Sequence, residues 1–104
     1  MPRYLLHGRY TADAVRGLMA DGAASRLNAV KALAEGLGGR CEWLNWAFGG
    51  KDSYALLELP DDAAAHSVAL AASVAGEVTA IRLLDAAEVD ESIGRRSNFR
   101  APGA

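Results

Sequence analysis

Three features of the sequence predict an α+β domain with the element order β-α-β-β-α-β, in which four antiparallel strands form one sheet and two helices cover one of its faces. Runs of β-compatible residues with period-two alternation stand at 3–10, on both sides of Gly49-Gly50, and at 77–84. Apolar residues spaced by three and four fill the intervals before and after the central hairpin. Helix punctuation falls at the junctions, with Thr11, Asp61, Asp62 and Asp85 at expected starts and Gly38-Gly39 and Gly76 at expected stops.

In the first strand, RYLLHGRY, Tyr4, Leu6, Gly8 and Tyr10 share one side, and Leu5, His7 and Arg9 share the other. Thr11 can cap the helix that follows, and Asp13 places a carboxylate near its positive end. Val15, Leu18 and Met19 give this short helix an apolar side until Asp21-Gly22 interrupts it; Leu27, Val30, Leu33, Ala34 and Leu37 then mark a longer one. Strands two and three lie within RCEWLNWAFGGKDSYALLELPDD, with FGGKDS as the turn, since paired glycines tolerate the positive φ angles of tight connections. Pro60 ends the third strand, and the aspartates after it open a helix over 63–75 whose expected buried side is Ala64, Val68, Ala71, Ala72 and Ala75. EVTAIRLL is the fourth strand, and Asp85 caps a last short helix through Ile93.

At 104 residues, 51% of them apolar, the chain suffices for one domain, expected over 1–94, with a disordered basic tail over 95–104. The tail contains Arg95, Arg96 and Arg100 and no acid, which leaves 8 basic against 13 acidic residues in the domain and argues against a nucleic-acid partner. No apolar run reaches the length of a membrane span, and no signal segment is recognisable. A lone cysteine, Cys41, precludes an internal disulfide and fits a reducing, cytoplasmic setting. Nucleotide-binding glycine loops, zinc spacings and a serine elbow are all missing, so neither a cofactor nor a metal is expected. His7 and His66 are the available haem ligands, which makes haem a minor alternative.

The two sides of the sheet differ. Tyr4, Leu6, Gly8, Leu44, Trp46, Phe48, Ala55, Leu57 and Leu59 form the more apolar set and are expected beneath the helices. Leu5, His7, Arg9, Cys41, Trp43, Asn45, Tyr54, Leu56 and Glu58 are left for the uncovered face, while alternation does not decide strand four. Such a mixture is too apolar for water and too polar for a dry core, and suits an oligomer interface or a ligand pocket. With strands one and three taken as parallel neighbours, Arg9 falls near Glu58 and the two are expected to pair. A carboxylate clamp at Arg9 and a general base at Glu58 are the alternatives. His7 is a candidate acid or base, weighed against an ordinary interface hydrogen bond. Cys41 reads as a buried inert thiol rather than a nucleophile, and Trp43 and Tyr54 as interface anchors rather than a stacking platform.

YLLHGRYT, the strand ending WAFG, and GKDSYALLELPDD leading into an alanine-rich helix together resemble the GYD domain family of small bacterial proteins, from about Tyr4 to Glu88. The motif that names this family sets an aromatic before an Asp in the hairpin turn; here Asp52 matches the Asp and Lys51 replaces the aromatic. The resemblance implies a dimeric α/β barrel in which two ferredoxin-like sheets pack through their uncovered faces. It implies no reaction and no catalytic residues. The expectation is therefore a homodimer or higher homo-oligomer that binds a small molecule between paired sheets. A cofactor-independent oxygenase or isomerase using His7 is one alternative, and a purely structural or regulatory module is another.

Overall fold

Thr11 ends the first strand by capping a helix, its hydroxyl accepting the Ala14 N–H at 3.1 Å. In the computed structural model, which describes residues 1–95 and 99–103, the elements run β1 (Arg3–Tyr10), α1 (Ala12–Asp21), α2 (Ala23–Gly36), β2 (Arg40–Trp46), β3 (Asp52–Glu58), α3 (Asp62–Ala72), a 3-10 turn (Ser73–Ala75), β4 (Gly76–Leu83) and α4 (Ala86–Gly94). The break expected at Asp21-Gly22 separates α1 from α2, and Gly22 takes a φ of 86° at which a β-carbon would be strained. Asp61 caps α3, and Asp85 and Glu88 form a reciprocal capping box on α4. Among the described residues this makes an α+β fold of one four-stranded antiparallel sheet and four α-helices. Residues 96–98 and 104 of the expected tail lie outside the described residues; Arg95 closes α4 and pairs with Glu91.

The strand order is β2-β3-β1-β4, and every neighbour pair is antiparallel. The parallel pairing assumed for strands one and three is incorrect. A crossover through helices returns β2 in the direction of β1, and the hairpin then sends β3 back against both. Register therefore sets Arg3 opposite Glu58, His7 opposite Tyr54 and Arg9 opposite Asp52. It also decides strand four: Val78, Ala80 and Arg82 lie beside Gly8, Leu6 and Tyr4, whereas Thr79, Ile81 and Leu83 lie beside His7, Leu5 and Arg3.

The core sits between the sheet and the helices, where Tyr4, Leu6, Ala55, Leu57 and Leu59 pack with Ala34, Ala65 and Val68. Three expectations about burial are corrected. Cys41 belongs to this core, not to the uncovered face, because the register slips between Cys41 and Trp43. The bulge spends one residue without changing sides, so Cys41 opposes Leu57 while Glu42 and Trp43 both fall on the open side. Phe48, expected inside, is fully exposed in the turn beyond the end of β2. The buried stripe of α3 is Ala65, Val68 and Ala69; of the expected set Val68 is buried, Ala64, Ala72 and Ala75 are half-buried, and Ala71 is exposed. A helix of alanines has too little polar contrast for spacing to set its face, so packing sets it.

Tyr4 ties these layers together. Its hydroxyl donates to Asp62 at the start of α3 at 2.6 Å, and Arg82 on β4 contacts Asp62 at 3.8 Å and Glu88 on α4 at 2.9 Å. Burial pushes the Tyr4 phenol above its ordinary value, with the Asp62 hydrogen bond acting in the same direction. At the other end of the sheet β4 begins at Gly76, with φ 150°, where a β-carbon would lie 1.9 Å from the Arg9 carbonyl oxygen. Glycine lets the edge strand meet β1 there.

Candidate functional site

Alternation along the four strands leaves one sheet face without helices. Its middle is apolar: Leu5 lies between Leu56 and Ile81, and Leu56 in turn adjoins Trp43. Leu56 is buried by these neighbours, but Trp43 and Tyr54 remain 39% and 37% exposed and Ile81 55%. Asn45 is exposed opposite Tyr54.

Each end of this face is polar, and each is neutralised differently. Toward the hairpin turn, Asp52 Oδ1 lies 3.2 Å from His7 Nε2 and 3.2 Å from Arg9 Nε. An ionised carboxylate only accepts hydrogen bonds, so both nitrogens donate, and the His7 tautomer is the one protonated on Nε2. The His7 ring also stacks on Tyr54, with centroids 4.7 Å apart and planes 4° from parallel. Two contacts thereby hold the imidazole in one orientation. At the opposite end, Arg40 pairs with Glu58 at 3.0 Å, and Glu42 joins Arg3 at 3.1 Å and Arg40 at 3.6 Å.

The expected Arg9–Glu58 pair is accordingly replaced by Arg9–Asp52 and Arg40–Glu58, since antiparallel pairing puts Arg9 and Glu58 at opposite ends of β1 and β3. The Arg40 hydrogen bond holds the Glu58 carboxyl below its ordinary value, which leaves it a poor proton acceptor. Cys41 faces away from this site, its thiol pushed up by burial and donating to the Trp43 carbonyl at 3.4 Å. That is the environment of an inert thiol. His7, Arg9 and Tyr54 are brought together; Trp43, Asn45 and Leu56 share their face; Cys41 does not.

Asp52 is the member of the cluster that residue patterns alone assigned to a turn rather than to the site. The hairpin connection ends two residues sooner than expected, so Asp52 is the first residue of β3 and sits in register with Arg9. Its match to the Asp of the family motif was the available signal.

The His7 hydrogen bond, followed by Arg9, holds the Asp52 carboxyl below its ordinary value of 3.8. A carboxyl depressed on folding stabilises the folded state fully above its unfolded value, and that contribution disappears as pH falls through the lower, folded value. Urea unfolding of the unaltered chain and Asp52→Asn should therefore show a stability gap that is present at about pH 5 and narrows as pH falls below 3.8. A gap of the same size at pH 3 and pH 5 would remove the ionised carboxylate from the explanation.

Among the described residues, no helix is long and apolar enough to cross a membrane. Comparison with protein families matches the GYD domain to residues 4–94 of the 104-residue chain. Neither the curated proteins nor the solved structures contain a match.

Proposed function

The chain belongs to the GYD domain family, and on that premise we propose that it acts as a homodimer, joined through the uncovered faces of two sheets, which holds a small molecule beside His7, Arg9, Asp52 and Tyr54. The observation that carries this reading is the mixed face itself: Trp43, Tyr54 and Ile81 stay partly in water between two charge-balanced clusters. An apolar centre with a polar rim is the anatomy of a subunit interface. A second copy offers the same pattern, so apolar centres meet and each cluster remains neutralised within its own chain. Leu84, and Val89 and Ile93 one turn apart on α4, add exposed apolar area beyond the end of β4.

The small-molecule part rests on the His7 group. Arg9 and the Nε2–H of His7 are donors held by one carboxylate, and Tyr54 supplies a hydroxyl and a stacked ring beside them. Native mass spectrometry compared with the denatured chain mass tests both parts: an even assembly with a reproducible extra mass is expected. A stable monomer in sedimentation at micromolar concentration would overturn the assembly, and an even assembly that takes up no added mass in a ligand screen would favour a structural module.

The His7–Asp52 contact favours a second reading as a proton-transfer enzyme, because the carboxylate fixes the orientation and tautomer of the imidazole, as a proton-transferring histidine requires. Under that reading the unaltered protein converts the retained molecule, whereas His7→Gln assembles normally and retains it unchanged. Equal conversion by both would exclude His7 from the chemistry.

A further inference from the structure

On the helix side of the sheet lies a cavity of about 70 Å³, separated by the sheet from the face described above. Two helical stripes form its walls: Arg26, Val30 and Leu33 along α2, and Val68, Ala72 and Ala75 along α3 and the turn after it. Each stripe has the i, i+4, i+7 spacing of one helix face. The floor is Leu6, Gly8, Ala55 and Val78, with the Ser53 hydroxyl near Gly8. The space exists because glycine and alanine stand where larger side chains would fill it.

Its size and lining select an occupant. A single buried water needs about 10–15 Å³ and two to four polar partners. This cavity has room for several waters, yet its walls are mostly aliphatic, so filling it with water leaves most of those waters poorly bonded. It is about half the size of an apolar cavity that takes up benzene, ~150 Å³, so a short alkyl chain fits better than a ring.

Charge selects the head group. Arg3, Arg9, Arg16, Arg40, Arg82 and Arg95 each face an acid, whereas half-buried Arg26 has no acidic partner within salt-bridge distance among the described residues. Arg9 and Glu77 also border the cavity, but they are paired in register on the open-face side of β1 and β4. Glu77 presents its backbone carbonyl oxygen toward Gly8. Arg26 also lies in the first turn or so of α2, where the helix dipole adds to its positive potential.

We propose that this cavity binds a short aliphatic monocarboxylate of roughly three or four carbons, its alkyl chain over Gly8 and Ala55 and its carboxylate on the Arg26 guanidinium. The site is independent of the paired-sheet reading, since it uses the other side of the sheet.

Butanoate is the probe. Titrated into the ¹⁵N-labelled full chain, it should produce saturable amide shifts at Gly8, Ala55, Ala72 and Val78. Arg26→Gln should weaken butanoate binding by at least about tenfold while leaving 1-butanol unaffected, because the variant removes a charge-assisted bond and leaves the apolar slot intact. Ala72→Leu should abolish binding of both by filling the slot. Arg26 is half-buried and in no ion pair among the described residues, so its replacement leaves a folded protein whose spectrum serves as the reference. No saturable shift at these amides, an affinity unchanged in Arg26→Gln, or shifts confined to His7, Arg9 and Tyr54 would each overturn the proposal. The last would place anion binding on the uncovered face instead. Sedimentation of the same samples reports the assembly state separately, so loss of the dimer cannot be mistaken for loss of this site.

Discussion

Ile81→Arg is expected to yield a folded monomer under conditions where the unaltered chain is a dimer. Ile81 is 55% exposed, and its neighbour on β1 is Leu5, in the apolar middle of the uncovered face. In the separate chain an arginine there can turn its charged end to water while its aliphatic stem covers Leu5, so folding loses little. Between two sheets the charge would be buried without a partner. Removing one member of a buried pair, the nearest measured analogue, costs about 3–5 kcal/mol, and twofold symmetry introduces the charge twice. Even a single such penalty weakens association by roughly two to four orders of magnitude. Sedimentation velocity over a micromolar dilution series provides the test, with thermal melting to show that the variant remains folded. A variant that sediments like the unaltered chain would mean that this face is not where the copies meet.

Leu57→Ala should have the largest effect on the fold itself. Leu57 is completely buried at the centre of the sheet, between Tyr4 on β1 and Cys41 on β2, on the side that the helices cover. Truncation loses the transfer energy of the removed methyl groups and leaves a cavity that close-packed neighbours cannot fill, a combined cost of about 2–5 kcal/mol. Domains of this size are typically stable by only about 5–15 kcal/mol, so the melting temperature should fall by roughly 10 to 30 °C. Ile81→Ala is the matching comparison: it removes a 55% exposed side chain from the opposite face, so it should weaken assembly more than it lowers the melting point of the monomer. Calorimetry on both variants decides. A loss below about 1 kcal/mol for Leu57→Ala would contradict the assignment of the two faces.

How far the chain could be read without its structure depends on the range of the signal involved. β1 was legible to the residue, because Tyr4, Leu6 and Tyr10 alternate with less apolar neighbours and Thr11 supplies a cap immediately afterwards. The start of α4 was equally clear, since Asp85 and Glu88 form a cap entirely from local chemistry. The α3 stripe was legible in part: Val68 is buried and Ala64 packs against the core as expected, but Ala65 and Ala69 were missed and Ala71 is exposed, because alanines look alike from every side. The candidate site was legible in part: His7, Arg9 and Tyr54 were assigned to the open face, but their shared partner, Asp52, was assigned to the turn.

By itself the sequence determined the order of the elements, the presence of two unequal sheet faces, and the resemblance to the family whose model covers residues 4–94. Those properties follow from hydrophobic period, cap chemistry and turn residues, all of which act over a few neighbouring positions. Only the tertiary structure decided that Arg9 meets Asp52 rather than Glu58, that a bulge sends Cys41 into the core, and that Arg26 borders an aliphatic cavity. Each depends on which strand runs beside which, in what direction and in what register. A change of direction or a one-residue slip rearranges every cross-strand pair while leaving the local pattern of each strand as it was.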